Sequence, residues 1–240
     1  MKRILTGLAD IVFPPRCLTC EESLDNKNAP FCPACFSQIH FLQSPLCSCC
    51  GIPFAGADTD NHLCGDCAVS KPIFSVARSI GKYETTLLEA IHRFKYNRNI
   101  HIGEILGKLM AEFEYSDFAI SDYSLIMPVP LHPKKLRQRG FNQSVILARE
   151  ISKLFQLTLD FLTLRRHTYT EAQINLGRKE REANVSGVFS VTDSEKIHGQ
   201  KIILVDDVYT SGSTAKECTR VLMHSNADSV AILTIARAVQ

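Results

Sequence analysis

Two groups of residues in this sequence have the types and spacing to do chemistry. The first is the run Asp206-Asp207-Val208-Tyr209-Thr210-Ser211-Gly212-Ser213-Thr214, in which two carboxylates are followed by a hydroxyl-rich turn containing one glycine. Successive backbone N–H groups in such a turn, at the start of a helix, form a nest for phosphate. Gly212 permits the backbone angles, and Thr210, Ser211, Ser213 and Thr214 can add hydroxyl hydrogen bonds. Two acids beside a phosphate would repel it unless the ligand also carried hydroxyls or Mg²⁺ for them to engage. A phosphorylated sugar meets both conditions. The competing readings are an acidic strand end of the Walker-B kind and an ordinary capped helix. No G-x-x-x-x-G-K-[ST] occurs anywhere in the chain, which removes the nucleotide-triphosphatase version.

The second group is made of eight of the ten cysteines, arranged as Cys17/Cys20, Cys32/Cys35, Cys47/Cys50 and Cys64/Cys67, each pair separated by two residues. That gap lets one knuckle turn both thiolates toward one tetrahedral ion, and two knuckles close a structural zinc site. Eleven residues lie between the first two pairs and thirteen between the last two. The simplest expectation is two four-cysteine zinc ribbons in series. A cross-braced arrangement, with Cys17/Cys20 sharing an ion with Cys47/Cys50, fits the same spacing. Cys49 makes a third thiol in the third knuckle, and Cys50 is preferred because it restores the two-residue gap. His62 is read as a surface histidine. Zinc closed by four thiolates has no open position, so it is expected to hold structure and not to catalyse.

The elements that must position these groups follow from periodicity. Before Ser70 the chain is rich in turn residues and poor in hydrophobic period, so metal must supply much of its stability. After Lys71 helical and strand patterns alternate. Leu87–Tyr96, Ile102–Phe113, Gln143–Phe155 and Ala215–His224 are predicted helices. Ser124–Val129, Leu159–Leu164, Lys201–Val205 and Ser229–Ile235 are predicted strands. Apolar strands alternating with helices imply an α/β fold with a doubly wound, mostly parallel sheet, which places the acidic turn at the carboxyl edge where such sheets bind ligands. Thr214 and Glu217 have capping-box spacing. The expected organisation is a zinc module over 1–70 and an α/β domain over 71–240.

Composition sets further bounds. A net charge of +2 in 240 residues is too mild to announce nucleic-acid binding for the whole molecule. The apolar run within Met1–Pro15 is too short for an export signal or a membrane span, so a soluble cytoplasmic protein is expected, with no membrane insertion. In a reducing compartment, tandem cysteine pairs favour metal thiolates over disulfides.

Taken with its strand and helix, Val205–Thr214 resembles the signature of type I phosphoribosyltransferases. The resemblance implies that Asp206 and Asp207 hold ribose hydroxyls, that the loop from Val208 through Thr210 to Thr214 grips the 5-phosphate, and that the ligand is 5-phosphoribosyl-1-pyrophosphate (PRPP) with Mg²⁺. Further segments resemble the ComF family, which joins a cysteine-rich zinc module to this domain. They are Met127–Pro133 with Leu136–Gln143, Thr170–Gln173 with Arg178–Val185, and Phe94-Lys95-Tyr96. That resemblance implies a role in natural transformation, with single-stranded DNA or an uptake helicase as partner.

Basic residues add candidates. His132–Gln143 carries Lys134, Lys135, Arg137 and Arg139 with no acid. Arg137 and Arg139 are the expected catalytic cations for a departing pyrophosphate, because guanidinium binds phosphate oxygens in bidentate fashion. The same stretch could track a nucleic-acid backbone or be a solvated turn. Arg93, Lys95 and Arg98 interleave with Phe94 and Tyr96, a pattern suited to stacking single strands, although Phe94 is read as core. The stretch from Arg165 to Arg181 fits a hood over the site, or a simple exposed loop. Cys218 is read as a buried small hydrophobe.

Two functions from different classes stay open: a DNA-uptake factor that binds PRPP as a ligand, and an active transferase passing phosphoribose to a nitrogenous acceptor. No base-reading motif or general base is evident, and the sequence has no recognisable helix-turn-helix for a regulator.

Overall fold

The computed structural model describes residues 15–26, 29–56, 60–97, 99–170 and 185–239. In the ribbon region, short helices α1 (Pro33–Phe36) and α2 (Gly65–Val69) begin within the second and fourth knuckles and carry Cys35 and Cys67. The rest is built from β1 (Val76–Lys82), α3 (Thr85–Tyr96), α4 (Ile100–Glu112), β2 (Leu125–Pro128), α5 (Pro133–Arg139), α6 (Gln143–Phe155), β3 (Thr158–Leu159), β4 (Leu164–Arg166), β5 (Phe189–Val191), β6 (Lys201–Tyr209), α7 (Ser213–His224) and β7 (Ser229–Arg237).

Five strands form one parallel sheet in the order β1-β7-β6-β2-β3, while β4 and β5 make a separate antiparallel pair. The apolar runs of β6 and β7 lie at the centre, as expected for strands covered on both faces. On one face Ile203, Val205, Leu233 and Ile235 pack with Phe94 of α3, Leu106 of α4 and Leu147 of α6. On the other, Ile202, Leu204 and Ile232 pack with Cys218 and Leu222 of α7 and with Phe189 of β5.

The cysteine-rich region is packed directly onto this sheet. Cys17, Phe31 and Cys35 belong to the first core, whereas Cys47, Cys50, Cys67 and Phe74 belong to the second. Between them, His40–Leu42 runs along the outer edge of β1. Leu42 N–H donates to the Ile80 carbonyl and Lys82 N–H to the His40 carbonyl, both at 2.9 Å, and Phe41 bridges Gly81.

Helices α3, α4 and α6 and the strands β2 and β7 fall where the periodicity puts them, but four expectations need correction. The run Leu159–Leu164 is not one strand. Asp160 accepts from the N–H groups of Leu162 and Thr163 at 2.8 and 2.9 Å, and this turn separates β3 from β4. The basic stretch after His132 is not all loop: Pro133 sets the first turn of α5, His132 accepts from Lys134 N–H, and left-handed Gly140 ends the helix. Strand β6 does not end at Val205 but carries both acids within it to Tyr209. The Thr214–Glu217 capping box does not form, because Glu217 accepts from Gly187 N–H and pairs with Arg220.

Candidate phosphate site and zinc centres

The acidic turn lies at the carboxyl end of β6, the central strand, where the sheet hands the chain to α7. Gly212 is the residue before that helix and is left-handed, with φ 75°. It makes no side-chain cap; Ser213 N–H donates to the Ser211 hydroxyl at 3.4 Å, and the first-turn N–H groups have no partner within the helix, as a phosphate nest requires. A Cβ at this position would stand 2.2 Å from the Tyr209 hydroxyl oxygen, so only glycine fits. The Ser211 and Ser213 hydroxyls are 2.7 Å apart. A small cavity opens against these residues, lined by Val129, Asp206, Val208, Tyr209 and the whole Thr210–Ala215 stretch. Seven of the eight residues predicted to bind a phosphorylated sugar thus line one cavity; the eighth, Asp207, is 4 % exposed and turns to a different partner.

That partner is Lys95 near the end of α3, which forms an ion pair with Asp207. Asp206 accepts from the Ser144 hydroxyl at 2.9 Å, at the start of α6, and from Asp207 N–H at 2.9 Å. Adjacent acids with different partners separate in proton affinity. Burial, helped by the neighbouring Asp207 charge, pushes the Asp206 carboxyl up to about 8. For Asp207 burial acts the same way, but the Lys95 ammonium overrides it and holds the carboxyl below the usual range. Burial pulls Lys95 down, and the Asp207 charge more than restores it. At neutral pH the free site therefore holds a protonated Asp206 beside a salt-bridged Asp207.

Of the two arginines expected to meet pyrophosphate, Arg139 is half-buried, donates to Gln143 Oε1 at 2.6 Å, and acts on the Asp207 charge. Arg137 is exposed on α5 and makes no hydrogen bond or ion pair among the described residues. The structure instead brings in Lys95, Lys135 and Arg166. Burial lowers Lys135, and the positive charges of Arg166, Arg139 and Lys95 lower it further. Arg166 is likewise lowered by burial and is partly restored by Cys218 and Asp206. Lys95, Arg139 and Arg166 thus act on the two acids, and Lys135 lies close enough to these cations to be lowered by them. Lys95 was legible only as one member of a basic-aromatic run, and Arg166 only as a strand end. Tyr96, 69 % exposed, lies 5.9 Å from the Arg139 guanidinium, while Phe94 is fully buried, as its helical spacing implies. Arg98 and the segments Glu171–Gln173 and Arg178–Arg181 lie outside the described residues.

Both cysteine quartets form in series. Cys17, Cys20, Cys32 and Cys35 gather at one place and Cys47, Cys50, Cys64 and Cys67 at another, with all sulfurs of a set within 4.8 Å. This decides against the cross-braced alternative. The fit to zinc is quantitative: sulfurs about 2.3 Å from a tetrahedral ion stand about 3.8 Å apart. Cys20 and Cys32 are 3.7 Å apart, and Cys50 and Cys64 are 3.8 Å apart. Knuckle N–H groups also favour thiolate: burial opposes ionisation of Cys47, but the N–H groups of Cys64, Cys50 and Cys49 bring it down to about 6. Cys49 is 2 % exposed and outside the quartet, and His62 stacks on Phe54 at 3.9 Å.

Comparison with known proteins agrees with this two-part construction. Residues 8–68 match the Double zinc ribbon domain family and residues 142–239 the Phosphoribosyl transferase domain family. Competence protein F of Haemophilus influenzae is 29 % identical over 229 residues, covering 93 % of this chain and 97 % of that protein. DNA utilization protein YhgH of Escherichia coli is 27 % identical, covering 95 % and 99 %. Competence protein ComFC of Bacillus subtilis is 26 % identical, covering 86 % and 83 %. Among solved structures, a glutamine phosphoribosylpyrophosphate amidotransferase from B. subtilis is similar over 54 % of this chain and 25 % of its own, at 19 % identity and a TM-score of 0.37. No helix among the described residues is long and apolar enough to cross a membrane. The chain is homologous over most of its length to Competence protein F, ComFC and YhgH, and joins a double zinc ribbon to a phosphoribosyltransferase domain.

Proposed function

We propose that this protein binds PRPP with Mg²⁺ at Asp206–Thr214 and serves the handling of incoming DNA in the cytoplasm, with residues 1–70 and 71–240 as its two modules. The observation that carries the ligand reading is the cavity at the amino end of α7, bounded by Asp206 and the hydroxyls of Thr210–Thr214. In this reading the α7 amino end receives the 5-phosphate and Asp206 and Asp207 meet the ribose hydroxyls. Lys95, Lys135, Arg139 and Arg166 lie toward the pyrophosphate. The two carboxylates are also the hard oxygen donors that would share Mg²⁺ with the ligand's phosphates, and the ion would neutralise pyrophosphate charge.

The names of the relatives, competence and DNA utilization, support the cellular part. Single-stranded DNA or a protein of the uptake machinery is the partner, and exposed Tyr96, Arg137 and Lys134 offer stacking and phosphate contacts beside the ligand site. The four-cation cluster also favours a second reading. Such a cluster would stabilise a departing pyrophosphate, as transfer of phosphoribose to a nitrogenous acceptor requires.

Calorimetric titration of PRPP and Mg²⁺ into the protein and into an Asp206→Ala/Asp207→Ala variant tests the ligand reading. Micromolar binding, lost in the variant, is expected. Absence of binding to zinc-loaded protein would refute it. Pyrophosphate release on adding an acceptor would promote the second reading, and salt-sensitive DNA binding without turnover would keep the first.

A further inference from the structure

One of the contacts between the two parts of the chain is a buried arginine. Arg237 is the last residue of β7 and is 7 % exposed. Its guanidinium donates to the Cys50 carbonyl at 2.5 Å and lies 3.5 Å from Cys50 Sγ, a member of the second quartet. The same guanidinium stacks over the Tyr209 ring at 4.5 Å, and Arg237 is the cross-strand partner of Tyr209. Tyr209 is 6 % exposed and lies against Gly212, with its hydroxyl where a Cβ would stand. An unbroken line of contacts therefore runs from the second cysteine quartet through Arg237 and Tyr209 to the residue that opens the α7 amino end.

Charge gives this line a direction. Among the described residues no carboxylate pairs with Arg237, and a buried cation needs a counter-charge. Four thiolates around one divalent ion carry a net charge of −2, and one of those thiolates is in contact with Arg237. A second arginine holds the other side of the quartet. Arg78 donates to the Cys47 carbonyl at 3.3 Å and the Ser48 carbonyl at 3.4 Å, but it has its own carboxylate, Asp117, at 2.6 Å from Nε. Of these two arginines, Arg237 is the one without a carboxylate among the described residues and the one that touches the phosphate loop's tyrosine.

We propose that Arg237 and Tyr209 are positioning residues that couple the second zinc centre to the phosphate loop, so that zinc at Cys47/Cys50/Cys64/Cys67 sets the order of Thr210–Thr214. Among the described residues the first quartet meets α3 instead, through the Thr86 hydroxyl on the Cys35 carbonyl and through Arg93 on Glu21, and does not touch Tyr209 or Gly212. The inference rests on the phosphate-loop reading for its functional meaning, but the coupling itself can be measured without any ligand.

The test is amide hydrogen exchange on the full chain, read at Thr210–Thr214. Removing zinc from the second centre by Cys64→Ser should speed exchange there roughly tenfold or more, whereas Cys20→Ser in the first centre should not. Arg237→Lys, which keeps charge but loses the forked contact, should give the same loop effect with both zinc equivalents retained. It should also release second-centre zinc to a chromogenic chelator faster than wild type. Unchanged exchange at Thr210–Thr214 in both Cys64→Ser and Arg237→Lys would overturn the coupling. If either cysteine variant fails to fold, chelator titration of wild-type protein with exchange followed in parallel gives the same answer. Failure of PRPP to bind in calorimetry would remove the ligand reading and leave a positive exchange result standing as a zinc-dependent loop.

Discussion

Lys95, near the carboxyl end of α3, forms an ion pair with Asp207, which sits on the neighbouring central strand and is 4 % exposed. The pair joins the helix before the sheet's edge to the strand that opens the candidate site. Removing one partner of a buried pair leaves the other charge without solvent or counter-ion, which costs about 3–5 kcal/mol where burial is complete. Lys95 is 18 % exposed, so Lys95→Met is expected to lower stability by somewhat less, about 2–3 kcal/mol. Adding Asp207→Asn should recover much of that loss. Denaturant unfolding of the two single variants and the double variant checks this, and additivity would contradict the pairing.

Asp206 gives a pH signature of unusual sign. Its carboxyl is raised to about 8, so between about pH 4 and 8 the folded state holds a proton that the unfolded state has lost. More protons bound in the native state means that stability contributed by this group falls as pH rises through that window, and levels off above it. Asp206→Asn, which cannot ionise, should therefore raise the melting temperature increasingly from pH 5 to pH 8. A shift that is flat with pH would refute the assignment.

Gly212→Ala should damage both fold and site. The new Cβ meets the Tyr209 hydroxyl at 2.2 Å and the backbone has φ 75°, so steric conflict and left-handed strain add. A loss of about 1–3 kcal/mol is expected, with weakened phosphate affinity. Thermal unfolding together with phosphate titration measures both.

The cysteines separate cleanly by role. Cys49→Ser should keep two zinc equivalents per chain, and Cys50→Ser should keep one firmly held equivalent, as counted by atomic absorption after dialysis. Equal loss in both variants would mean that Cys49 shares the ligand position.

Much of this is legible in the sequence. The cysteine knuckles are local, so their spacing predicts the four pairs, but which pairs share an ion is decided only by the fold. Periodicity found α6 to the residue, because Ile146, Leu147 and Ile151 recur on its buried face at helical spacing. What escaped was decided by distant partners. Glu217 has the spacing of a cap, yet Arg220 and Gly187 claim it, and nothing near Thr214 in sequence announces that. Arg137 and Arg139 are equivalent in type, but α5 turns only Arg139 toward the acids, since two residues on a helix point about 200° apart. Lys95 lies more than a hundred positions from Asp207, and only the stacking of α3 on the central sheet brings them together.

The segment His40–Leu42 lies along β1, and the other edge strand, β3, has only two residues. A parallel sheet with bare backbone groups along one side is a template for another chain, and here the metal-held module occupies that side. Zinc depletion should accordingly be visible first as self-association: a growing light-scattering signal, dependent on protein concentration, that appears while the central strands are still folded. For such a molecule the ribbon is a guard on solubility as much as a mount for its neighbour's binding loop.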